Sequence, residues 1–549
     1  MLRRNPIFSN IMALTETIDN DVCRMLASLA ADYGVRHVVV SPGTRSAPLA
    51  VVFHRSGHFC MHTVIDERCA AFMALGMALQ TDSPVLLICT SGSALMNYGP
   101  ALAEAYYRRA PLIAVSADRP ARWIDQLDSQ TMRQPGALSA VVRHSVDIPV
   151  AAASDAQLFS KANREVNEAL SESIAGRRGP AHINVQLDVP LTRMTNAAAT
   201  LQPRIIHSIH PKASEADFSD IVASLADKKV MIICGDTTPE EQSAFSRTIP
   251  NIPVLSEAQS NIPNGFNIGS FDRFINENKA LEPDVIITVG GSLVSARLKN
   301  WLRSVKKLRH ISLGFDDNAA DTFGCLDTRV ECSASVFVNA LAANQSDSAF
   351  AERWQAFYAD TTEHTRRLVA ENPVTETIAT LAELHSGDVH VSNGSAIRYA
   401  QMVEWPCDAS FMCNRGISGI DGCTSTALGA SIVSHSPTLL ITGDMSAAYD
   451  IGALGAAEPP QYFRIAVLDN AGGDIFRNIT ATAALPELDR YFVVQPRLPL
   501  RLLAEAYGYR YLEYDCGTPD HSVLEQFIKG HGAAILRIII DPKYTARLL

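Results

Sequence analysis

The chain has 549 residues, 47% of them hydrophobic and 19% charged, the balance of a globular protein rather than a disordered or fibrous one. Its 47 Lys and Arg against 58 Asp and Glu give a formal charge of −11, with no basic stripe for a nucleic-acid backbone to follow. The length exceeds the ~250–300 residues at which a single core stops growing, so several domains are expected.

Arg3 and Arg4 precede a short stretch, Ile7 to Leu14, that Ser9 and Asn10 interrupt, too brief and polar for an export signal. No run approaches the ~18–20 apolar residues that cross a bilayer. Eleven cysteines without a C-x-x-C pair suit reduced thiols better than a disulfide framework or zinc site, so a cytoplasmic location is expected.

From about 15 to 190, apolar runs at 36–40, 84–90 and 111–117 alternate with helical stretches at 68–80 and 94–108. That alternation predicts a parallel sheet covered on both faces. A Thr-, Asn-, Ala- and Pro-containing linker follows at about 192–215. The grammar repeats in runs at 229–235, 283–291 and 308–314, closes in a polar stretch near 344–349, and repeats again at 389–394, 410–416, 438–444, 463–470 and 533–540. The expected architecture is α/β, three doubly wound parallel-sheet domains at 1–195, 205–350 and 360–549. Neither a G-x-G-x-x-G after a strand nor a P-loop occurs. Glycines gather instead at predicted strand ends, where open parallel sheets bind ligands.

Gly443-Asp444 ends one such strand and Asn470 the next, followed by Ala471-Gly472-Gly473. On adjacent parallel strands, the Asp444 carboxylate, the Asn470 amide oxygen and the Gly472 carbonyl form an oxygen set suited to Mg2+ and a diphosphate. The same residues would equally serve two unrelated strand-to-helix turns. In the first third, Asp66-Glu67 precedes an apolar helix, and an acidic pair there also complements a helix dipole.

Together these motifs resemble the thiamine-diphosphate enzyme superfamily, whose usual wording is Gly-Asp-Gly followed by Asn-Asn; here Met445 and Asp469 depart from it. The resemblance implies that Glu67 bonds the cofactor pyrimidine and promotes its imino tautomer. It also implies that Ser91, Gly92, Ser418, Gly419, Gly443, Asp444, Met445, Asn470, Gly472 and Gly473 hold the cofactor. Ile420 would wedge it into a bent form. Metal ligation falls to Asp444, Asn470 and Gly472, for Mg2+ with Mn2+ as a substitute.

More specific are Ser41-Pro42-Gly43-Thr44-Arg45-Ser46, Ser116-Ala117-Asp118-Arg119-Pro120, Arg133-Gln134-Pro135-Gly136, Asn414-Arg415-Gly416-Ile417-Ser418-Gly419 and Gly472-Gly473-Asp474-Ile475-Phe476. These segments are similar to the 2-succinyl-5-enolpyruvyl-6-hydroxy-3-cyclohexene-1-carboxylate synthases of menaquinone biosynthesis. That resemblance implies decarboxylation of 2-oxoglutarate and 1,4-addition of the resulting enamine to isochorismate. Both substrates are dicarboxylates, for which Arg45, Arg119, Arg398 and Arg415 are the candidate cations. Gln130 would hydrogen-bond substrate, with Ile475 and Phe476 lining the apolar side. The resemblance further implies a homodimer or homotetramer with sites at the subunit interface. Two positions depart from the pattern: Gly394 stands where a serine is usual, with Ser395 next to it, and Ala296 where a lysine is usual, with Arg297 beside it. Another thiamine-dependent 2-oxo acid decarboxylase or carboligase would share Glu67, Asp444 and Asn470. A non-catalytic α/β binding protein would share only the fold.

Overall fold

A computed structural model describes residues 16–196, 203–206, 214, 218–275, 278–315, 320–341, 346–406 and 408–545. The reading of residues 7–14, much of the 192–215 linker and part of the 344–349 stretch lie outside them. By backbone contacts the chain forms two compact units. The first is residues 1–209 with 428–433 and 455–458, and the second is the remainder.

In the first unit, β1 (Glu16–Ile18) precedes a six-stranded parallel sheet. Its strands are β2 (His37–Val40), β3 (Cys60–Thr63), β4 (Val85–Cys89), β5 (Leu112–Asp118), β6 (His144–Ile148) and β7 (Ala181–Gln186), in the order β3-β2-β4-β5-β7-β6. β8 (Met194–Asn196) returns to pair antiparallel with β1. The central β4 and β5 are buried along their whole length, as the continuous apolar runs require. The edge strands β3 and β6 carry Cys-Met-His-Thr and His-Ser-Val-Asp-Ile, mixed sequences without a strand-like run.

The second unit holds two sheets. β9 (Val230–Cys234), β10 (Val254–Ser256), β11 (Phe266–Asn267), β12 (Val285–Val289), β13 (Arg309–Leu313) and β14 (Leu326–Val330) are ordered β11-β10-β9-β12-β13-β14. β15 (Asp388–Val391), β16 (Ser410–Cys413), β17 (Thr438–Gly443), β18 (Phe463–Asp469), β19 (Arg510–Asp515) and β20 (Ala534–Ile539) are ordered β16-β15-β17-β18-β20-β19. The middle sheet has the order common among dinucleotide-binding folds without their glycine fingerprint, and fold alone does not confer that function. The α/β class expected from the sequence is thus observed.

The outer two sheets share one topology, with strands in the relative order 2-1-3-4-6-5. They also share a turn: Gly92 after β4 and Gly394 after β15 stand at φ +87° and +91°, ψ −142° and −137°. L side chains rarely adopt that conformation, so glycine at 394 follows from the backbone.

The helix expected over 94–108 is two helices, Ser93–Asn97 and Gly99–Tyr107, meeting at Tyr98. Pro100 lacks the N–H that a continuous helix would need there. The helix Glu67–Thr81 starts where Asp66 accepts the Arg68 and Cys69 N–H groups. Cys69 to Ala78 are buried without interruption, which explains a stretch with no polar face. No helix among the described residues is long and apolar enough to cross a membrane.

At the start of β18, the nearly buried Arg464 donates to the carbonyls of Gln461, Phe463, Ile528, Gly530 and Gly532 at 2.5–3.2 Å. It thereby closes the end of the helix His521–Lys529 and the turn into β20. Arg464→Met, which strips charge-assisted donors from buried carbonyls, is expected to destabilise the second unit by about 2–4 kcal/mol, seen as an earlier urea transition.

Candidate active site

Every candidate residue that follows a strand follows its carboxyl end. In the first unit, Arg45 follows β2 by a short turn, Ser91 and Gly92 follow β4, and Arg119 follows β5. Arg45 donates to the Leu187 carbonyl at 2.9 Å, and Arg119 pairs with Asp128 at 2.8 Å. Burial lowers the Arg45 pKa and the nearby Arg119 charge lowers it further, so the two guanidiniums face a common region. Gln130, exposed and at φ +56°, packs over Gly92, where a Cβ would come within 3.2 Å of the Gln130 Cγ.

A residue of the Arg133–Gly136 segment, given no role from the sequence, fixes that turn. Gln134 is fully buried; its Oε1 accepts the Gly92 N–H at 2.8 Å, and its Nε2 donates to Asn184 Oδ1 at 2.9 Å. Asn184 in turn donates to Asp118 at 3.0 Å and Asp147 at 2.8 Å. Burial raises the Asp118 pKa to about 6. Glu67, half-buried at the first position of its helix, lies close to Cys89 and Tyr98. Burial raises the pKa of both, and the Glu67 carboxylate adds to the effect.

In the second unit, pairing of Gly443 with Leu468 sets the ends of β17 and β18 side by side, as the spacing of Asp444 and Asn470 predicts. Asp444 is buried, its Oδ1 accepting the Met445 N–H and its Oδ2 the Gly472 N–H, both at 2.7 Å. Asn470 and Gly473, on either side of Gly472 in the chain, are buried as well. A Cβ on Gly472 would lie 2.7 Å from the Val494 carbonyl oxygen, so the close approach needs glycine. Asp469, a departure from the superfamily wording, pairs with Arg537 at 2.6 Å, which offsets part of its charge.

Burial raises the Asp444 pKa to about 7, Asp469 adds to the rise, and the two backbone donors oppose it. Such a carboxylate gains most from a bound cation. Among the described residues no group of three or more His, Cys, Asp or Glu is placed to hold a metal. An ion at Asp444 would therefore complete its shell with the Asn470 amide, the Gly472 carbonyl and phosphate oxygens, as a hard divalent cation allows. The donor set fits Mg2+ and a diphosphate.

Asn393, at the end of β15, ties together the loop expected to carry the cofactor wedge. Its Nδ2 donates to Asn414 O at 2.6 Å and Gly419 O at 2.7 Å, and its Oδ1 accepts from Arg415 Nη1 at 2.9 Å. Ser446 Oγ donates to Ile420 O at 2.6 Å, which joins this loop to the Asp444 helix. Ser418 adopts φ +61° and Ile420 is half-buried, an apolar side chain left partly open at the site. Ile475 and Phe476 are also half-buried, with Phe476 5.7 Å from the Phe492 ring centroid. Arg398 donates to Gly394 O at 2.6 Å, and its pKa is lowered by burial and then by Arg415. With Arg297, Asp272 and Glu257 it lines a cavity of about 470 Å³. Glu67, Arg45, Arg119, Gln130, Ser91 and Gly92 thus belong to the first unit, and the remaining candidates to the second.

This combination of parallel sheets, a buried Asp and Asn pair at neighbouring strand ends, and a glutamate opening an apolar helix defines a thiamine-diphosphate enzyme. Residues 20–137 match the family described as thiamine pyrophosphate enzyme, N-terminal TPP binding domain. Over nearly its full length the chain is similar to proteins named 2-succinyl-5-enolpyruvyl-6-hydroxy-3-cyclohexene-1-carboxylate synthase. The one from Porphyromonas gingivalis is 35% identical over 93% of this chain and 92% of its own. That from Desulfotalea psychrophila is 34% identical over 94% and 98%, and that from Flavobacterium psychrophilum 36% over 87% and 88%. The chain belongs to this synthase family.

Asp444→Ala is expected to weaken thiamine diphosphate binding in the presence of Mg2+ by at least about tenfold, because a hard anionic ligand is lost. Calorimetric titration with cofactor and Mg2+ checks this, and an unchanged affinity would remove Asp444 from the metal site.

Proposed function

We propose that this enzyme decarboxylates 2-oxoglutarate and adds the remaining four-carbon unit to isochorismate by 1,4-addition, using thiamine diphosphate and Mg2+ or Mn2+, in menaquinone biosynthesis. The observation that carries the substrate assignment is electrostatic. Arg45, Arg398 and Arg415 are all partly buried, and none forms an ion pair with a carboxylate among the described residues. Partly dry guanidiniums without a carboxylate in direct contact are matched by the carboxylates of two dianionic substrates. A pyruvate decarboxylase would have little use for them.

When bound, thiamine diphosphate supplies the carbon nucleophile and the electron sink. Glu67 is assigned the acceptor contact to its pyrimidine ring, and Asp444, Asn470 and Gly472 the metal and diphosphate contacts. The backbones of Ser91, Gly92, Ser418, Gly419, Gly443, Met445 and Gly473 shape the cofactor seat. Ile420 supports the bent cofactor, Ile475 and Phe476 exclude water from the apolar side, and Gln130 positions substrate. Arg119 is shared between Asp128 and substrate. Each six-stranded sheet with its helices is assigned one domain, at 1–195, 205–350 and 360–549. None of the ten cysteines among the described residues is in a disulfide, which supports a cytoplasmic location.

The functional unit is assigned as a homodimer or homotetramer, with the Glu67 half of each site from one copy and the Asp444 half from another, as a two-fold axis permits. Incubating the protein with cofactor, Mg2+, 2-oxoglutarate and isochorismate should consume isochorismate, followed by its ultraviolet absorbance. Loss of the 2-oxoglutarate requirement would overturn the reaction. Glu67→Gln is expected to abolish turnover while leaving the melting temperature unchanged, because an amide cannot stabilise a protonated pyrimidine. Mixed under subunit exchange with Asp444→Ala, it should recover part of the activity, and no recovery despite proven exchange would place both halves in one chain.

A further inference from the structure

The helix Ala296–Ser304 leaves the carboxyl side of β12 and starts at Ser295, whose Oγ accepts the Leu298 N–H at 3.0 Å. One turn into it, Lys299 folds back on the loop that feeds the helix. Its Nζ donates to the Leu293 carbonyl at 3.2 Å, and Arg415 Nη2 reaches the same oxygen at 3.4 Å. Two cations share one neutral acceptor. Each is drawn to the carbonyl dipole and repelled by the other.

No carboxylate relieves that repulsion by direct contact. Glu257, fully buried below the loop, gives Oε1 to the Val294 and Ser295 N–H groups and Oε2 to Val294 N–H and Gln259 Nε2 at 2.6–2.9 Å. Its charge attracts Lys299 from a distance but its lone pairs are committed to the loop. Asp272 accepts from Ser295 Oγ at 2.8 Å and faces Arg297 at 3.9 Å. Among the described residues Lys299, Arg398 and Arg415 form no ion pair with a carboxylate. The Lys299 pKa is lowered first by burial, with Arg415, Arg303 and Arg398 pushing it further down and Glu257 opposing. The cluster is therefore short of an anion. Of the two residues at the family's lysine position and beside it, Arg297 is half-exposed and turned to Asp272, and Ala296 supplies no charge. Lys299 stands one helical turn from Ala296 on the face that meets Arg415.

We propose that Lys299 is a substrate-binding residue that, with Arg398 and Arg415, holds a carboxylate of the cyclic acceptor isochorismate. The substrate oxygens take over the two hydrogen bonds that Leu293 O now receives, and Glu257 acts as the positioning residue that keeps the Leu293–Ser295 loop in place. This assignment rests on the site being one for dicarboxylate substrates.

The test compares the wild-type protein with Lys299→Met and Lys299→Arg in steady-state kinetics for both substrates. Isochorismate binding is measured in parallel by calorimetry, with thiamine diphosphate and Mg2+ but no 2-oxoglutarate, so that no turnover occurs. Lys299→Met is expected to raise the isochorismate KM and Kd by about tenfold or more, with kcat and the 2-oxoglutarate KM changed less than about twofold. Lys299→Arg, which keeps the charge, should recover most of the loss. An unchanged isochorismate Kd would overturn the proposal, as would equal rises in both KM values or a loss that tracks a lower melting temperature in both variants. A wild-type protein that binds isochorismate without turning it over would sink the reaction assignment instead, and the calorimetric comparison would still decide Lys299.

Discussion

A strand of a parallel sheet runs out of backbone partners at its carboxyl end, and the next residues must either turn into a helix with its own caps or present their polar groups to a ligand. Most of the proposed site residues sit at or shortly after that point. Gly92 and Gly394 make the same positive-φ turn in two sheets of the same strand order. Asp444, Asn470, Asn393 and Arg415 occupy the equivalent positions after β17, β18, β15 and β16. Because the strands are parallel and in register, turns far apart in the chain become neighbours.

Buried charge is handled in three distinct ways. Arg464 is enclosed by carbonyls and needs no ligand, which makes it structural. Glu257 is enclosed by N–H groups and an amide, which fixes a loop without forming an ion pair. Asp444 has only two backbone donors and a neighbouring aspartate, so its burial is less fully compensated. The first two arrangements stabilise the folded chain. The third leaves a buried carboxylate whose pKa is raised to about 7.

The unpaired guanidiniums obey the same logic with opposite sign. Arg119 and Arg537 have carboxylate partners and lose part of their attraction for an external anion. Arg45, Arg398 and Arg415 are held by carbonyl or amide oxygens, which orient them without neutralising them. Repulsion between Arg45 and Arg119 in the first unit, and between Arg398 and Arg415 in the second, adds to burial in lowering the pKa of Arg45 and Arg398.

The sequence by itself determined the α/β class, the apolar central strands, the glycine turns and the Glu67, Asp444 and Asn470 candidates. Each is a local signal: a run of apolar residues, a helix start, a residue type at a strand end. The edge strands β3, β6, β11, β14 and β19 were not legible, because short or half-polar segments become strands only when a neighbour pairs with them. Which cations would stand unpaired, that Gln134 would brace the Gly92 turn, that Arg537 would pair with Asp469, and that Lys299 and Arg415 would meet on the Leu293 carbonyl were decided only by the tertiary structure. Gln134 and Gly92 are 42 residues apart, and Arg415 and Leu293 are 122 apart. No local pattern encodes contacts of that range; they exist because the folded chain packs loops of distant sequence, and in the case of Arg415 and Leu293 of two different sheets, against each other.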